Sequence, residues 1–263
     1  MKVRLLLTAV LGVLAAAAVA VPAQAATQVN YAALGDSYSS GVGAGGYDPS
    51  SGICSRSPRS YAPLWATNHP VSHFTFVACG GATTDDVLNN QLGGLSTATT
   101  LVTMTIGGND AGFVNVVTSC ILGTDGFCQW SVGNATWYAS NVLPAKLDHL
   151  YATIRARAPN ARLVVLGYPR LFELTRTCPV FGLDLAKRIA LNSAADGLAR
   201  VVAGRVQAAG ATYVDVRDAF AGHGICGADP WINPTTWPVT DSYHPTATGY
   251  RYGYLPALVR VAG

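Results

Sequence analysis

The stretch "YAALGDSYSSGVG", residues 31–43, passes from a short apolar run into Gly35-Asp36-Ser37 and then into glycines. A strand that ends in such a turn and continues into a helix leaves the Ser37 hydroxyl at the carboxyl edge of a sheet. In open α/β sheets, ligands bind beyond that edge, where the strand order reverses. Whether Ser37 is reactive depends on what the rest of the chain brings there.

Further apolar runs read as strands at 28–34, 73–79, 100–107, 162–167 and 211–216. Helix-like patterns lie between and after them, at 59–68, 84–92, 110–119, 131–157, 184–209 and 247–261. Strands that alternate with helices pair in parallel, because each crossover returns the chain to the same end of the sheet. The fold class is therefore α/β, with chemistry expected in the segments that follow the strands. These read "GDSYSSG", "CGGATTDD", "GGNDAGF", "GYPRLFE" and a long last loop ending in "DSYHP".

At the N-terminus, Lys2 and Arg4 precede an uncharged run from Leu5 to about Val21, then Pro22 and the small-residue triplet Ala23-Gln24-Ala25. That is the pattern of a secretory signal peptide over 1–25. The run is shorter than the roughly 20 residues of a membrane span, and no later stretch qualifies, so the expectation is an exported protein without a transmembrane anchor. Residues 26–263 suffice for one well-buried domain.

The chain has 17 Lys and Arg against 14 Asp and Glu, and loss of Lys2 and Arg4 brings it close to neutrality. Nucleic-acid binding gains no support from that balance. Six cysteines, Cys54, Cys79, Cys120, Cys128, Cys178 and Cys226, read as three disulfides in an oxidising compartment. Sequential pairing is the simplest of the connectivities they allow. No CxxC spacing suggests zinc, and Pro70 breaks any helix that would aim His69 and His73 at one ion; no metal site is expected.

Ester cleavage by a serine needs a base within hydrogen-bond reach and donors aimed at the developing oxyanion. Ser37 lies where a helix N-terminus favours negative charge, and His244 sits in a loop held by Pro245. Asn109 offers a side-chain amide. Gly81, lacking a Cβ, can present its backbone N–H to a close substrate.

"GDSYSSG", "CGGATT", "IGGND" and "DSYHP" together resemble, in order and strand context, the four blocks of the GDSL-type serine hydrolases, the SGNH superfamily. The chain looks most like the small secreted actinomycete lipases, esterases and phospholipases A1. The resemblance implies a three-layer α/β/α sandwich around a five-stranded parallel sheet in the order 2-1-3-4-5, with no cofactor. It makes Ser37 the nucleophile and His244 the base, with the Ser37 N–H, Gly81 and Asn109 as oxyanion donors. Asp241 occupies the acid position three residues before His244, although in some relatives a main-chain carbonyl, here that of Ser242, orients the histidine instead.

Competing patterns are weaker. "GVGAGG", 41–46, satisfies the dinucleotide fingerprint G-x-G-x-x-G, but it leads into turn-rich sequence with no acidic ribose partner; it reads as a mobile loop at the cleft rim. The nucleophile elbow G-x-S-x-G of α/β-hydrolases is not met by Gly35-Asp36-Ser37-Tyr38-Ser39. A non-catalytic binder using Trp231 and Trp237, or an O-acetyl esterase of the same fold, remain the alternatives. The favoured expectation is a monomeric hydrolase of lipid or small esters, working at a membrane or micelle surface.

Overall fold

The computed structural model describes residues 28–263, so the signal peptide expected over 1–25 lies outside the described residues. Five parallel strands form one sheet: β1 (Val29–Ala33), β2 (Val71–Phe76), β3 (Leu101–Met104), β4 (Arg162–Leu166) and β5 (Thr212–Val214). Their order is β2-β1-β3-β4-β5, the order expected. The helices are α1 (Ser37–Ser40), α2 (Tyr61–Thr67), α3 (Thr84–Asn90), α4 (Phe113–Leu122), α5 (Asp125–Asn141), α6 (Leu143–Arg157), α7 (Leu185–Ala208) and α8 (Leu255–Ala262).

Side chains alternate across a strand, and here both faces are buried. Tyr31 and Ala33 of β1 join Val164 and Leu166 of β4 in a core closed by Trp65 of α2 and Leu258 of α8. Ala32, Val102, Met104 and Val165 point the other way, into a core closed by Val87 of α3, Leu147 and Ile154 of α6, and Val202 and Val206 of α7. Two apolar faces with helices on each make the three-layer α/β/α sandwich. The strand order reverses between the neighbouring β1 and β3, so the turns that follow them, 35–37 and 107–109, face the same crevice.

Several expected boundaries move, for local reasons. β2 starts at Val71 rather than 73, because a strand at the sheet edge tolerates the exposed Ser72 and His73 that broke the apolar pattern. The single helix expected over 131–157 is two: Thr124 caps α5 by accepting from the Phe127 N–H, and Pro144 sits in the first turn of α6, where its missing N–H costs nothing. The last helix begins as a π-helical segment, Gly249–Tyr254, that turns Tyr250 and Tyr254 into the core before α8. Residues 41–46 are no free rim loop, since Val42 and Ala44 are buried and the Tyr250 hydroxyl donates to the Val42 carbonyl at 3.0 Å. The disulfides pair sequentially, Cys54–Cys79, Cys120–Cys128 and Cys178–Cys226.

Gly35 is where the first strand hands over to the Ser37 turn, and it sits at φ +111°. A Cβ there would lie 2.4 Å from the Thr105 carbonyl oxygen and 2.7 Å from Ser39 Oγ, contacts that nothing short of separating β1 from β3 relieves. Gly35→Ala should therefore lower unfolding free energy by at least about 2 kcal/mol. Urea titration measures this; an unchanged midpoint would show that the turn relaxes without cost.

Candidate active site

Asp36, between Gly35 and Ser37, caps α1 by accepting the Tyr38 N–H at 3.0 Å. Ser37 follows at the first helical position, and its side chain meets the last loop of the chain. His244 Nε2 lies 2.7 Å from Ser37 Oγ, across 207 residues of sequence. Both residues are buried, at 8% and 7% exposure. His244 Nδ1 lies 2.9 Å from the Ser242 carbonyl oxygen. A carbonyl can only accept, so Nδ1 carries the proton and Nε2 turns its lone pair to the Ser37 hydroxyl.

Asp241 does not occupy the acid position the motif suggested. The 3₁₀ turn Val239–Asp241 sends its carboxylate away, to accept the Tyr47 hydroxyl at 2.6 Å, and that hydroxyl in turn accepts the Gly43 N–H at 2.9 Å. Asp241 is thus a brace for the turn that packs against the histidine, and its charge reaches His244 only through space. The Ser242 carbonyl is the group that orients the ring.

The histidine loop is held from several sides. Asn233 Nδ2 donates to the carbonyls of Gly43 and His244 at 3.0 and 3.1 Å, and the Tyr38 hydroxyl donates to the Tyr243 carbonyl at 2.6 Å. Tyr243 itself takes φ +63°, an uncommon value for a bulky residue that persists only where the surroundings over-determine it. Gly43 makes room: a Cβ there would lie 2.6 Å from the Pro245 carbonyl oxygen and 2.8 Å from His244 Cβ.

Beneath Ser37 lies a buried polar network. Asp36 accepts from Thr105 Oγ1 at 2.5 Å and from the Tyr168 hydroxyl. Burial pushes the Asp36 carboxyl up to about 6, while these donors and the Tyr38 N–H pull the other way. It is therefore mostly ionised at pH 7. Burial and the nearby Asp36 charge hold the Tyr168 phenol well above its ordinary pKa, so Tyr168 is the donor. On the far side Gln91 clasps the turn, accepting the Gly35 N–H at 2.7 Å and donating to its carbonyl at 2.9 Å.

Asn109 comes to the same crevice. Its Nδ2 donates to the Ala82 carbonyl at 3.0 Å, which pins the loop after β3 to the residue following Gly81 and leaves the second amide hydrogen free. Gly81 has φ +80° and open space where a Cβ would be. Within the described residues neither its N–H nor that of Ser37 donates to a protein acceptor. Ser37 and Asn109 border one cavity whose walls are Val116 and Val117 of α4, Ala139 of α5, and Leu191, Ala195 and Leu198 of α7. Its only ionisable carboxylate, Asp36, is already engaged by three donors.

The structure brings Ser37, His244, Asn109 and Gly81 to one edge of the sheet, together with Tyr38, Gln91, Tyr168 and Asn233, which the sequence alone did not single out. Tyr168 was within reach, as the residue after the fourth strand. Nothing in the order of residues marks Gln91 or Asn233 as partners of distant backbone. His69 and His73 serve structure: the His69 ring stacks on Trp65 at 3.9 Å, and His73 bonds Thr75.

A serine paired with a neutral histidine at the switch point of a three-layer α/β/α sheet defines the serine-hydrolase class of site. A family model, the GDSL-like lipase/acylhydrolase family, matches residues 33–252. Lipase 1 of Streptomyces coelicolor is 50% identical over 246 residues, covering 93% of this chain and 91% of that protein. The crystal structure of phospholipase A1 from Streptomyces albidoflavus superimposes with a TM-score of 0.87 at 49% identity, over 89% of this chain and 99% of that one. The extracellular lipase of Streptomyces rimosus gives a TM-score of 0.86 at 50% identity, over 88% and 99%. The chain belongs to the GDSL-like lipase/acylhydrolase family and is, with it, a serine ester hydrolase.

Burial is the largest influence on the His244 imidazole and pushes it down to about 4, against smaller upward contributions from the Ser242 carbonyl and Asp241. The folded protein resists protonation there while the unfolded chain does not, so this residue withdraws stability as pH falls from about 6.5 toward 4. Nitrogen-resolved NMR of the imidazole should find the neutral Nδ1–H tautomer at pH 6 and a titration midpoint near 4. A midpoint at the ordinary value of about 6.5 would mean that the ring is solvated.

Proposed function

We propose that the protein is an exported hydrolase of lipid esters, of the lipase or phospholipase A1 type. Ser37 is its nucleophile and His244 its general base. The observation that carries the substrate class is the apolar cavity that opens on Ser37, whose helical walls offer methyl and methylene groups but no free charge. Such a site favours an alkyl chain over a sugar, whose hydroxyls would lose water without gaining partners. The names of the relatives, lipase and phospholipase A1, agree with that chemistry. Export rests on the basic and then apolar N-terminal sequence; among the described residues no helix is long and apolar enough to cross a membrane.

In this reading Ser37 Oγ attacks the ester carbonyl carbon as its proton passes to His244 Nε2. The carbonyl oxygen becomes an oxyanion that the Ser37 N–H, the Gly81 N–H and the free Asn109 amide hydrogen receive. Collapse of the tetrahedral intermediate breaks the ester C–O bond, and the imidazolium gives its proton to the leaving alcohol. Water then repeats the sequence on the acyl-serine, releasing the fatty acid and restoring both residues. The Ser242 carbonyl accepts the Nδ1–H throughout, so a dipole rather than a carboxylate steadies the transient positive charge.

Four measurements test these assignments. Asn109→Ala should lower kcat by about 10² to 10³-fold with the fold intact; an unchanged rate removes Asn109 from the oxyanion site. Asp241→Asn should cost less than about tenfold, against roughly 10⁴ for loss of a true triad acid. Ala195→Phe, which fills the cavity, should depress kcat/KM for long-chain p-nitrophenyl esters at least about tenfold relative to the acetate, an effect of several buried methylenes. Release assays over triglycerides, phospholipids and acetylated xylan would overturn the lipid assignment if only acetyl groups were released.

A further inference from the structure

The segment after β4, "GYPRLFE", is the one strand end whose residues the mechanism above leaves without a role. Its Tyr168 is half-buried, lines the cavity beside Ser37 and Asn109, and touches the turns that carry them. The Tyr168 hydroxyl accepts the Gly108 N–H at 3.1 Å and donates to Asp36 Oδ2. We propose that Tyr168 is a positioning residue, whose hydroxyl ties the Asp36-Ser37 turn to the Gly108-Asn109 turn and so sets the separation of nucleophile and oxyanion donor. The proposal rests on the assignment of those roles to Ser37 and Asn109.

Three observations point to this link. First, the turn after β3 leaves one of its donors to a partner outside it. Gly107 and Gly108 lack side chains and Gly107 sits at φ +106°, a conformation only glycine takes at no cost. The turn's own hydrogen bonds use its carbonyls: Gly107 receives the Ala111 N–H, Gly108 that of Phe113, and Asn109 that of Gly112. The Gly108 N–H instead points outward, and its acceptor is the phenol oxygen.

Second, Gly108 is shaped to admit that oxygen. A Cβ there would stand 3.3 Å from Tyr168 Cζ and Oη, tighter than ordinary contact. Third, the ring is locked on its other side, edge-on to Tyr38 with centroids 5.1 Å apart and planes at 87°. Tyr38 lies in turn against His244, centroids 5.0 Å apart. Chains of hydrogen bonds in a low-dielectric interior strengthen one another, and a displacement of about 1 Å between reacting groups can cost about 10²-fold in rate. One hydroxyl shared by two turns is well placed to prevent it.

The test is a double-mutant cycle on Tyr168 and Asp36 in the full-length protein. Tyr168→Phe keeps the ring and deletes the link; Asp36→Asn, with its amide oxygen kept by the Tyr38 N–H and Thr105, presents to Tyr168 an NH2 that cannot receive the phenol proton. Rates per active site, titrated with a fluorophosphonate, should show kcat on p-nitrophenyl butyrate about 10- to 100-fold lower in Tyr168→Phe, with KM within about threefold. The double variant should be no worse than the worse single one. Packing alone would move the melting temperature and leave kcat per active site within twofold, and that result overturns the proposal. So do single effects that multiply in the double variant. If Tyr168→Phe does not accumulate as folded protein, the kcat of Asp36→Asn decides in the same sense. Ser37→Ala separates the levels: retained activity there defeats the site assignment itself, whereas its loss together with an unaltered Tyr168→Phe defeats only the link.

Discussion

The hydrogen bond from His244 Nδ1 to the Ser242 carbonyl is the constraint on which the site depends. It leaves only one ring nitrogen free to face Ser37, and a carbonyl, unlike a carboxylate, brings a dipole and no full negative charge to the protonated ring. Burial makes the imidazole a weak base, held down to about 4 even though the Ser242 carbonyl pulls the other way. A weak base accepts the serine proton reluctantly but surrenders it readily to a leaving alkoxide. In the mechanism we propose, part of the catalytic demand therefore shifts to the oxyanion donors, which must make the proton transfer favourable by stabilising the negative charge formed at the same moment.

Those donors are useful only if they do not move, and the interior beneath them is polar for that purpose. Asp36 receives hydrogen bonds from three elements, and Ser39 Oγ binds the Tyr61 hydroxyl, Thr105 Oγ1 and the Thr105 N–H. A buried network with every member partnered resists rearrangement, because each alternative strands a polar group in a medium of low dielectric. The loop that carries His244 is secured in the same way by Asn233 and Tyr38, and the strained Tyr243 backbone is the visible cost of bringing the end of the chain to its beginning.

The cavity walls obey a different economy. α4, α5 and α7 supply small and aliphatic side chains toward Ser37, and the segment between β4 and α7 is held by its buried Leu171, Phe172 and Leu183 together with two cations. The buried Arg188 guanidinium donates to the carbonyls of Asp184, Glu173 and Thr175, and Lys187 Nζ to those of Gly123 and Gly182. Carbonyls take most of these donors, and Lys187 has in addition the exposed Asp125 carboxylate at 3.6 Å. The Cys120–Cys128 and Cys178–Cys226 bridges close the two loops involved.

Periodicity and strand-end position were enough to read the layered parallel fold, and they marked Ser37, Asn109, Gly81 and His244, because reactive groups in such sheets gather at one edge whatever the loop lengths. The chain could also be read as bridged by three disulfides from the count and spacing of its cysteines. Local patterns erred where a boundary depends on neighbours, as in the polar start of β2, the break between α5 and α6, and the packing of 41–46. The orienting group of His244 was open between a side chain and a carbonyl, since the choice turns on the direction of one backbone unit after the Val239–Asp241 turn. Gln91 and Asn233 were silent for a related reason: each acts on backbone far away in sequence, and only tertiary packing brings a donor to the acceptor it serves.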